Sequence, residues 1–224
     1  MLLNNCVEDS LDTSFPFFSD NDLVVDVLSL MQQKGVECAP LLHKGKVASM
    51  VTLLDLLPAQ QSRKQLMDLK LEHAYSIGLH EHLFDIVVRM DLFPYHFIPV
   101  SGEDGDYVGV IQKSALFENI ATVFHLREEC MTLELDVPSY DLKLSEIIAT
   151  IEKNDATVLS CGIYPAAPDG EGLVLTFRLQ IHDFYRLVSN LKKYGYMIRY
   201  SSPFSEKDDE MREKALEFIM FMDM

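Results

Sequence analysis

The chain has 224 residues and a mass of 25.6 kDa, with 48% hydrophobic and 24% charged residues. That is a globular composition with room for one large or two modest domains. It excludes intrinsic disorder and a fibrous repeat and makes disulfide or metal staples unnecessary. Nineteen Lys and Arg against 35 Asp and Glu give a formal charge of −16, and a surface that acidic repels phosphate backbones and anionic lipid, so neither nucleic acid nor a membrane surface is expected as a partner.

Residues 1–12 carry acids, no basic residue and no long apolar run, unlike a secretory or transit peptide, so a cytoplasmic protein is expected. No stretch approaches 18 apolar residues without a charge or turn former, and no spanning helix is predicted. Cys6, Cys38, Cys130 and Cys161 stand far apart with no CxxC pair. The expectation is buried reduced thiols and no metal.

An internal repeat organises the first half. Asp26-Val27-Leu28, Met31, Val36 and Pro40-Leu41 recur as Asp85-Ile86-Val87, Met90, Tyr95 and Pro99-Val100 at an offset of 59 residues. One residue then enters the second copy, in the turn after Ser101, and beyond it the offset is 60, pairing Val47 with Tyr107 and Ser49 with Gly109. An insertion confined to a turn is what a structural duplication tolerates. In the first copy a short extended lead-in at 14–18 precedes a helix through Leu23, Val27, Leu30 and Met31. Ser19 and Asp20 are the expected caps of that helix and Gly35 its stop. Strands follow at 38–43 and 46–51, joined by a Gly-containing turn, and then a short helix runs from Thr52 to near Pro58. Residues 77–117 repeat the pattern.

The stretches Ala39-Pro40-Leu41-Leu42, Val47 through Leu57, Ile98-Pro99-Val100 and Tyr107 through Ile111 place a Pro-hydrophobic pair at the start of each hairpin and a small residue in its second strand. In this the unit resembles the CBS domain, and two copies in matching register cover roughly the first 125 residues. The resemblance implies a pseudo-twofold, Bateman-type module with two clefts that commonly hold adenosine nucleotides or related ligands.

From about residue 128 the pattern changes. Met131, Leu133, Leu135 and Val137 alternate as a strand, and Leu144, Ile147, Ile148 and Ile151 form a helical stripe ending at Asn154. Strands are predicted at 156–163 and 173–179, with a break between them at 165–172. A second helix through Phe184, Leu187, Val188, Leu191 and Tyr194 closes at Gly195, and a last strand spans 196–200. The order strand, helix, strand, strand, helix, strand is the ferredoxin-like split unit. After a CBS pair it resembles an ACT-type domain, and the stretch from Leu144 to Ala156 is similar to bacterial CBS-pair proteins related to the acetoin utilisation protein B. Where effector-binding ACT domains often place Gly after the first strand, this chain has Val137-Pro138-Ser139-Tyr140. The fold class is therefore mixed, α+β or α/β, with a CBS pair at 1–127 (motifs at about 14–58 and 74–122), an ACT-like domain at 128–203 and a helical tail at 204–224.

Among candidate site residues, Thr52 and Asp55 stand first. The resemblance assigns the hydroxyl to phosphate or ribose and the carboxylate to the ribose hydroxyls, and an ionised carboxylate can accept both hydroxyls of a diol. The same two residues are good helix starters with or without a ligand, and the residues alone leave both readings open. Ser49, Pro40 and Leu41 complete the set that the resemblance implies. Arg63, Lys64, Arg89 and Lys113 are candidate charge partners for phosphate. His80-Glu81-His82 has the look of a metal pair, but no third ligand has recognisable spacing. No GxSxG, HExxH, Walker loop or GxGxxG occurs, and Gly102-Glu103-Asp104-Gly105-Asp106 reads as a hairpin turn rather than a calcium loop.

The resulting expectation is a non-catalytic regulatory homodimer without a cofactor. Its CBS pair would sense AMP, ADP, ATP or S-adenosylmethionine and signal by rearrangement to a target the sequence does not name. A ligand-free assembly module is the alternative, and an amino-acid sensor acting through the ACT-like domain ranks below it. At the offset of 60, Thr52 aligns with Gln112 and Asp55 with Ala115, which predicts one ligand per chain.

Overall fold

The computed structural model describes residues 6–60, 63–167, 170 and 172–202, and the chain divides into compact units at Met1–Ile120 and Ala121–Met224. The first unit contains α1 (Cys6–Asp9), β1 (Phe18–Ser19), α2 (Val24–Lys34), β2 (Cys38–His43), β3 (Lys46–Thr52), α3 (Leu53–Leu56), β4 (Ile77–Gly78), α4 (Leu83–Val88), β5 (Phe97–Ser101), β6 (Tyr107–Gln112) and the start of α5 (Lys113–Val123). It builds two three-stranded sheets of one design, β1-β2-β3 and β4-β5-β6. In each, a two-residue strand runs parallel to the first strand of an antiparallel hairpin. Phe18 faces Leu41 and Ile77 faces Val100, so the sequence offset of 59 reappears as strand register.

Local signals place most element ends. Gly35 closes α2 in the left-handed conformation, at φ 66°. The start of α2 departs from expectation: Ser19 and Asp20 do not cap it. Its N-cap is Leu23, without a side-chain bond, and the Val24 amide donates to the Lys64 carbonyl at 3.0 Å. Asp20 instead pairs with His43, which holds the Asp20 carboxyl below its ordinary value. Asp22 accepts from the Ser19 amide at 2.7 Å. A returning backbone carbonyl supplies what a side chain was expected to supply.

The two repeats are tied by exchange. The segment leading into the second repeat crosses the first repeat's hairpin, where His73 bridges Ser49 and the Ala74 amide donates to the Ala48 carbonyl at 3.1 Å. The segment leading into the first repeat crosses the second repeat's hairpin, with Asp12 and Val110 exchanging amide bonds of 2.8 and 3.0 Å. Between the hairpins, Cys38, Met50, Phe97 and Val110 form a buried cluster with Phe15, Ala74, Tyr95 and Tyr107 packed against it.

The second unit holds β7 (Met131–Pro138), α6 (Leu144–Glu152), β8 (Thr157–Pro165), β9 (Gly172–Gln180), α7 (Phe184–Lys193) and β10 (Met197–Ser201). Its antiparallel sheet has the order β10-β7-β9-β8, the ferredoxin-like arrangement read from the sequence. Ile147 and Ile151 of α6 and Leu187 and Leu191 of α7 are buried with Leu133, Leu135, Leu175, Phe177 and Leu179 of the sheet. Asn154, itself buried, ties the helices: its side chain donates to the Thr150 carbonyl at 2.8 Å and accepts from Asn190 at 2.6 Å. The tail expected at 204–224 lies outside the described residues. Among those that are described, no helix is long and apolar enough to cross a membrane.

Gly109 allows the N-terminal exchange, since a Cβ there would stand 2.6 Å from the Asp12 carbonyl oxygen. Gly109→Ala is expected to destabilise the fold by about 1–3 kcal/mol through that overlap, read as a lower urea midpoint.

Candidate functional site

The hydroxyl and carboxyl groups of Thr52 and Asp55 meet where β3 turns into α3. The Asp55 amide donates to Thr52 Oγ1 at 3.3 Å, and Asp55 Oδ2 accepts from the Thr52 amide at 2.9 Å and from the Thr52 hydroxyl at 2.6 Å. This is a complete capping box. All three bonds leave Oδ1 without a protein donor among the described residues, so capping occupies half of the carboxylate's capacity.

Thr52 and Asp55 also line a cavity of about 390 Å³, within the usual range for small-molecule sites. Three parts of the first unit build it. The first repeat supplies Met50, Thr52, Leu54 and Asp55. The connector supplies Lys70 through Tyr75, and the second repeat supplies Leu92 through Tyr95, Phe97 and Pro99. Tyr75, Tyr95, Phe93 and Phe97 give the cavity an aromatic wall, the surface on which a planar base stacks. His73 Nδ1 is bonded to the Ala48 carbonyl oxygen at 3.0 Å, which fixes the ring against β3.

Tyr95, in the cavity wall, hydrogen-bonds Cys38 of the buried cluster behind it. Burial pushes the Cys38 thiol up to about 12. Burial likewise raises the Tyr95 hydroxyl above its ordinary value, helped by Cys38 and by the carboxylates of Asp55 and Glu72. Both groups therefore stay protonated at neutral pH.

The other candidates lie elsewhere. Pro40 and Leu41 are buried in β2, opposite Met50 and Ser49. Ser49 bridges His73 behind the lining residues. Arg63 and Lys64 are exposed on the connector before it reaches the cavity. Arg89 is paired with Glu81, and Lys113 donates to the Phe93 carbonyl. None of these four cations lines the cavity; Lys70 does. His82 caps α4, accepting from the Phe84 amide at 3.2 Å, and His80 lies 3.8 Å from Glu8, so the two histidines serve different neighbours. Among the described residues no group of three His, Cys, Asp or Glu is placed to hold a metal ion. Sequence reasoning missed Lys70, Glu72, His73, Tyr75 and Tyr95. Only Tyr95 left a trace, as a polar-tipped aromatic where the first repeat has Val36.

The corresponding region of the second repeat is built differently. Phe15 stands at the repeat position of Ala74, and its ring packs on Phe97 with centroids 4.5 Å apart. The repeat position that carries a methyl in the lining of the first cleft thus carries a phenyl group packed against the buried cluster between the hairpins. Gly109, the counterpart of Ser49, is covered by the chain's own Asp12 backbone. In the second unit, a groove beside the end of β7 is lined by Asp136, Lys143 and Glu146. Lys143 pairs with Glu146 at 3.3 Å and Arg199 with Asp136 at 2.8 Å, so its charges are already matched.

Residues 7–62 match the family model of the CBS domain, a span that contains the first repeat from β1 to α3. No curated protein matches the chain in sequence. Several solved structures resemble it at low identity. The CBS domains of a transcriptional regulator from Streptococcus pneumoniae are 20% identical, covering 50% of this chain and 96% of that one with a TM-score of 0.43. A CBS domain pair/ACT domain protein from Thermotoga maritima is 14% identical over 55% of this chain and 98% of that one, with a TM-score of 0.45. The CBS-pair protein CBSX2 from Arabidopsis thaliana is 17% identical over 52% and 94% of the two chains, also at 0.45.

With its thiol at about 12 and only 4% of the residue exposed, Cys38 is expected to resist iodoacetamide at pH 8 in the native protein and to be alkylated after denaturation, since the thiolate is the nucleophile. Peptide mass spectrometry reads the difference.

Proposed function

We propose that this protein is a non-catalytic regulatory protein whose first unit is a CBS pair sensing an adenosine nucleotide or a related adenosine compound. The observation that carries the reading is the Asp55 carboxylate, oriented by its capping box with one oxygen unused, in an aromatic cavity of nucleoside size. In this reading a ribose diol donates to Asp55, and the base lies against the tyrosines and phenylalanines. The match of residues 7–62 to the CBS domain supports it, as does the repeat of the same topology in the second half of the unit. A ligand in this cleft touches both repeats at once, so binding favours one arrangement of the pair over others. The ferredoxin-like unit is, on this reading, an ACT-type domain, and the chain a relative of bacterial CBS-pair proteins related to the acetoin utilisation protein B.

The reading is tested by calorimetry and thermal shift with adenosine compounds. One site per chain is expected, because Phe15 takes the repeat position of Ala74, and Gln112 and Ala115 take those of Thr52 and Asp55. A ligand at about 100 times its dissociation constant adds about 2.7 kcal/mol of stability. Asp55→Ala removes the capping box at a cost of about 1 kcal/mol and is expected to abolish the ligand response as well. A variant that loses only basal stability would leave Asp55 as a cap alone.

A second reading, assembly through dimerisation, is favoured by apolar side chains that the first unit leaves in solvent. Val88 is 82%, Leu54 78% and Phe117 63% exposed, all on helices. Sedimentation at micromolar concentration is expected to give a homodimer of the 25.6 kDa chain, and Val88→Asp with Phe117→Asp to return it to monomer.

A further inference from the structure

Among the described residues, the carboxylate, ammonium and imidazole groups lining the cleft are those of Asp55, Glu72, Lys70 and His73, beside the hydroxyls of Tyr75 and Tyr95. Two carboxylates thus stand against one ammonium. The four cations chosen from the sequence are engaged or elsewhere, Arg89 with Glu81, Lys113 with the Phe93 carbonyl, Arg63 and Lys64 exposed and off the lining, so among the described residues Lys70 alone stands against Asp55 and Glu72 in the lining. α3 is a single turn, and its first amides already belong to the capping box. Asp55, Glu72 and Tyr95 share the lining of one cavity, and the two carboxylates help raise the Tyr95 hydroxyl above its ordinary value, which keeps it neutral. The whole chain adds its charge of −16 in the same sense.

From this charge distribution in the cleft we infer that the site selects a nucleoside without phosphate, uncharged or cationic at its 5′ end, over nucleoside mono- and polyphosphates. The inference rests on the adenosine reading above and narrows it. Asp55 holds the ribose, and the remaining carboxylate, Glu72, favours a neutral or positive 5′ substituent and repels a phosphate. A phosphate brought within about 4 Å of one uncompensated carboxylate, even at the dielectric of water, weakens binding by about 5-fold, and more where the wall excludes solvent.

The test is calorimetric titration of the full chain at pH 8 with adenosine, S-adenosylmethionine, AMP and ATP, at about 50 and 300 mM salt. Expected are tighter binding of adenosine and S-adenosylmethionine than of AMP by about 5-fold or more, ATP weaker still, and a gap that narrows at the higher salt as screening increases. Glu72→Lys is expected to reverse the order, bringing AMP and ATP above adenosine. AMP or ATP binding more tightly than adenosine to the wild-type chain would overturn the charge inference while leaving the adenosine reading intact. So would an order unmoved by Glu72→Lys. Absence of binding by all four compounds would overturn the adenosine reading and this inference together.

Discussion

The first unit depends on one constraint: each hairpin is crossed by the segment that leads into the other repeat. The first repeat buries a core of its own through Val24, Val27, Met31, Val51 and Leu56, and the crossings serve the face between the two hairpins. The exchange of leads, Asp12 across β6 and His73 across β3, joins the two hairpins into one body around Phe97, Met50, Val110 and Cys38. It also determines where a cleft can form. The connector has to pass from the first repeat to the edge of the second, and its path takes Lys70, Glu72, His73 and Tyr75 past the start of α3. The cleft is a consequence of the crossing.

Capping and ligand contact are usually set against each other for a Thr-x-x-Asp pair. In this chain the two are compatible, because a carboxylate has two oxygens and the helix start engages one. The cap fixes the rotamer of Asp55 and so prepares the other oxygen, the kind of support by a neighbouring hydrogen bond that functional groups need to be held in place. Cys38 and Tyr95 are kept protonated by burial, which leaves Asp55 and Glu72 against Lys70 as the charged side chains of the described lining.

The duplication has kept its architecture and divided its roles. At matching positions the first repeat's cleft has Ala74 in its lining with Ser49 bridged to His73, while the other set has Phe15 packed on Phe97 and Gly109 under the Asp12 backbone. Gly109 admits the chain's own backbone and so serves the N-terminal crossing.

What the sequence by itself determined is local or periodic. The alternation of Met131 to Val137, the stripe of Leu144 to Ile151, the stops at Gly35 and Gly195 and the Thr52–Asp55 cap were all legible, because each rests on partners within one or two turns or on the face that a strand or helix must bury. The repeat was legible for the same reason, and with it both topologies. Only the tertiary structure decided which carbonyl caps α2, where Lys64 replaced the nearer Ser19 and Asp20. It also decided that Lys70, and none of the four cations chosen from sequence, reaches the cleft, and that Pro40 and Leu41 belong to the core while Pro99 of the other repeat lines the site. These outcomes depend on segments distant in the chain meeting at specific angles, and a charge or a proline carries no mark in the sequence of the neighbour that folding will bring to it.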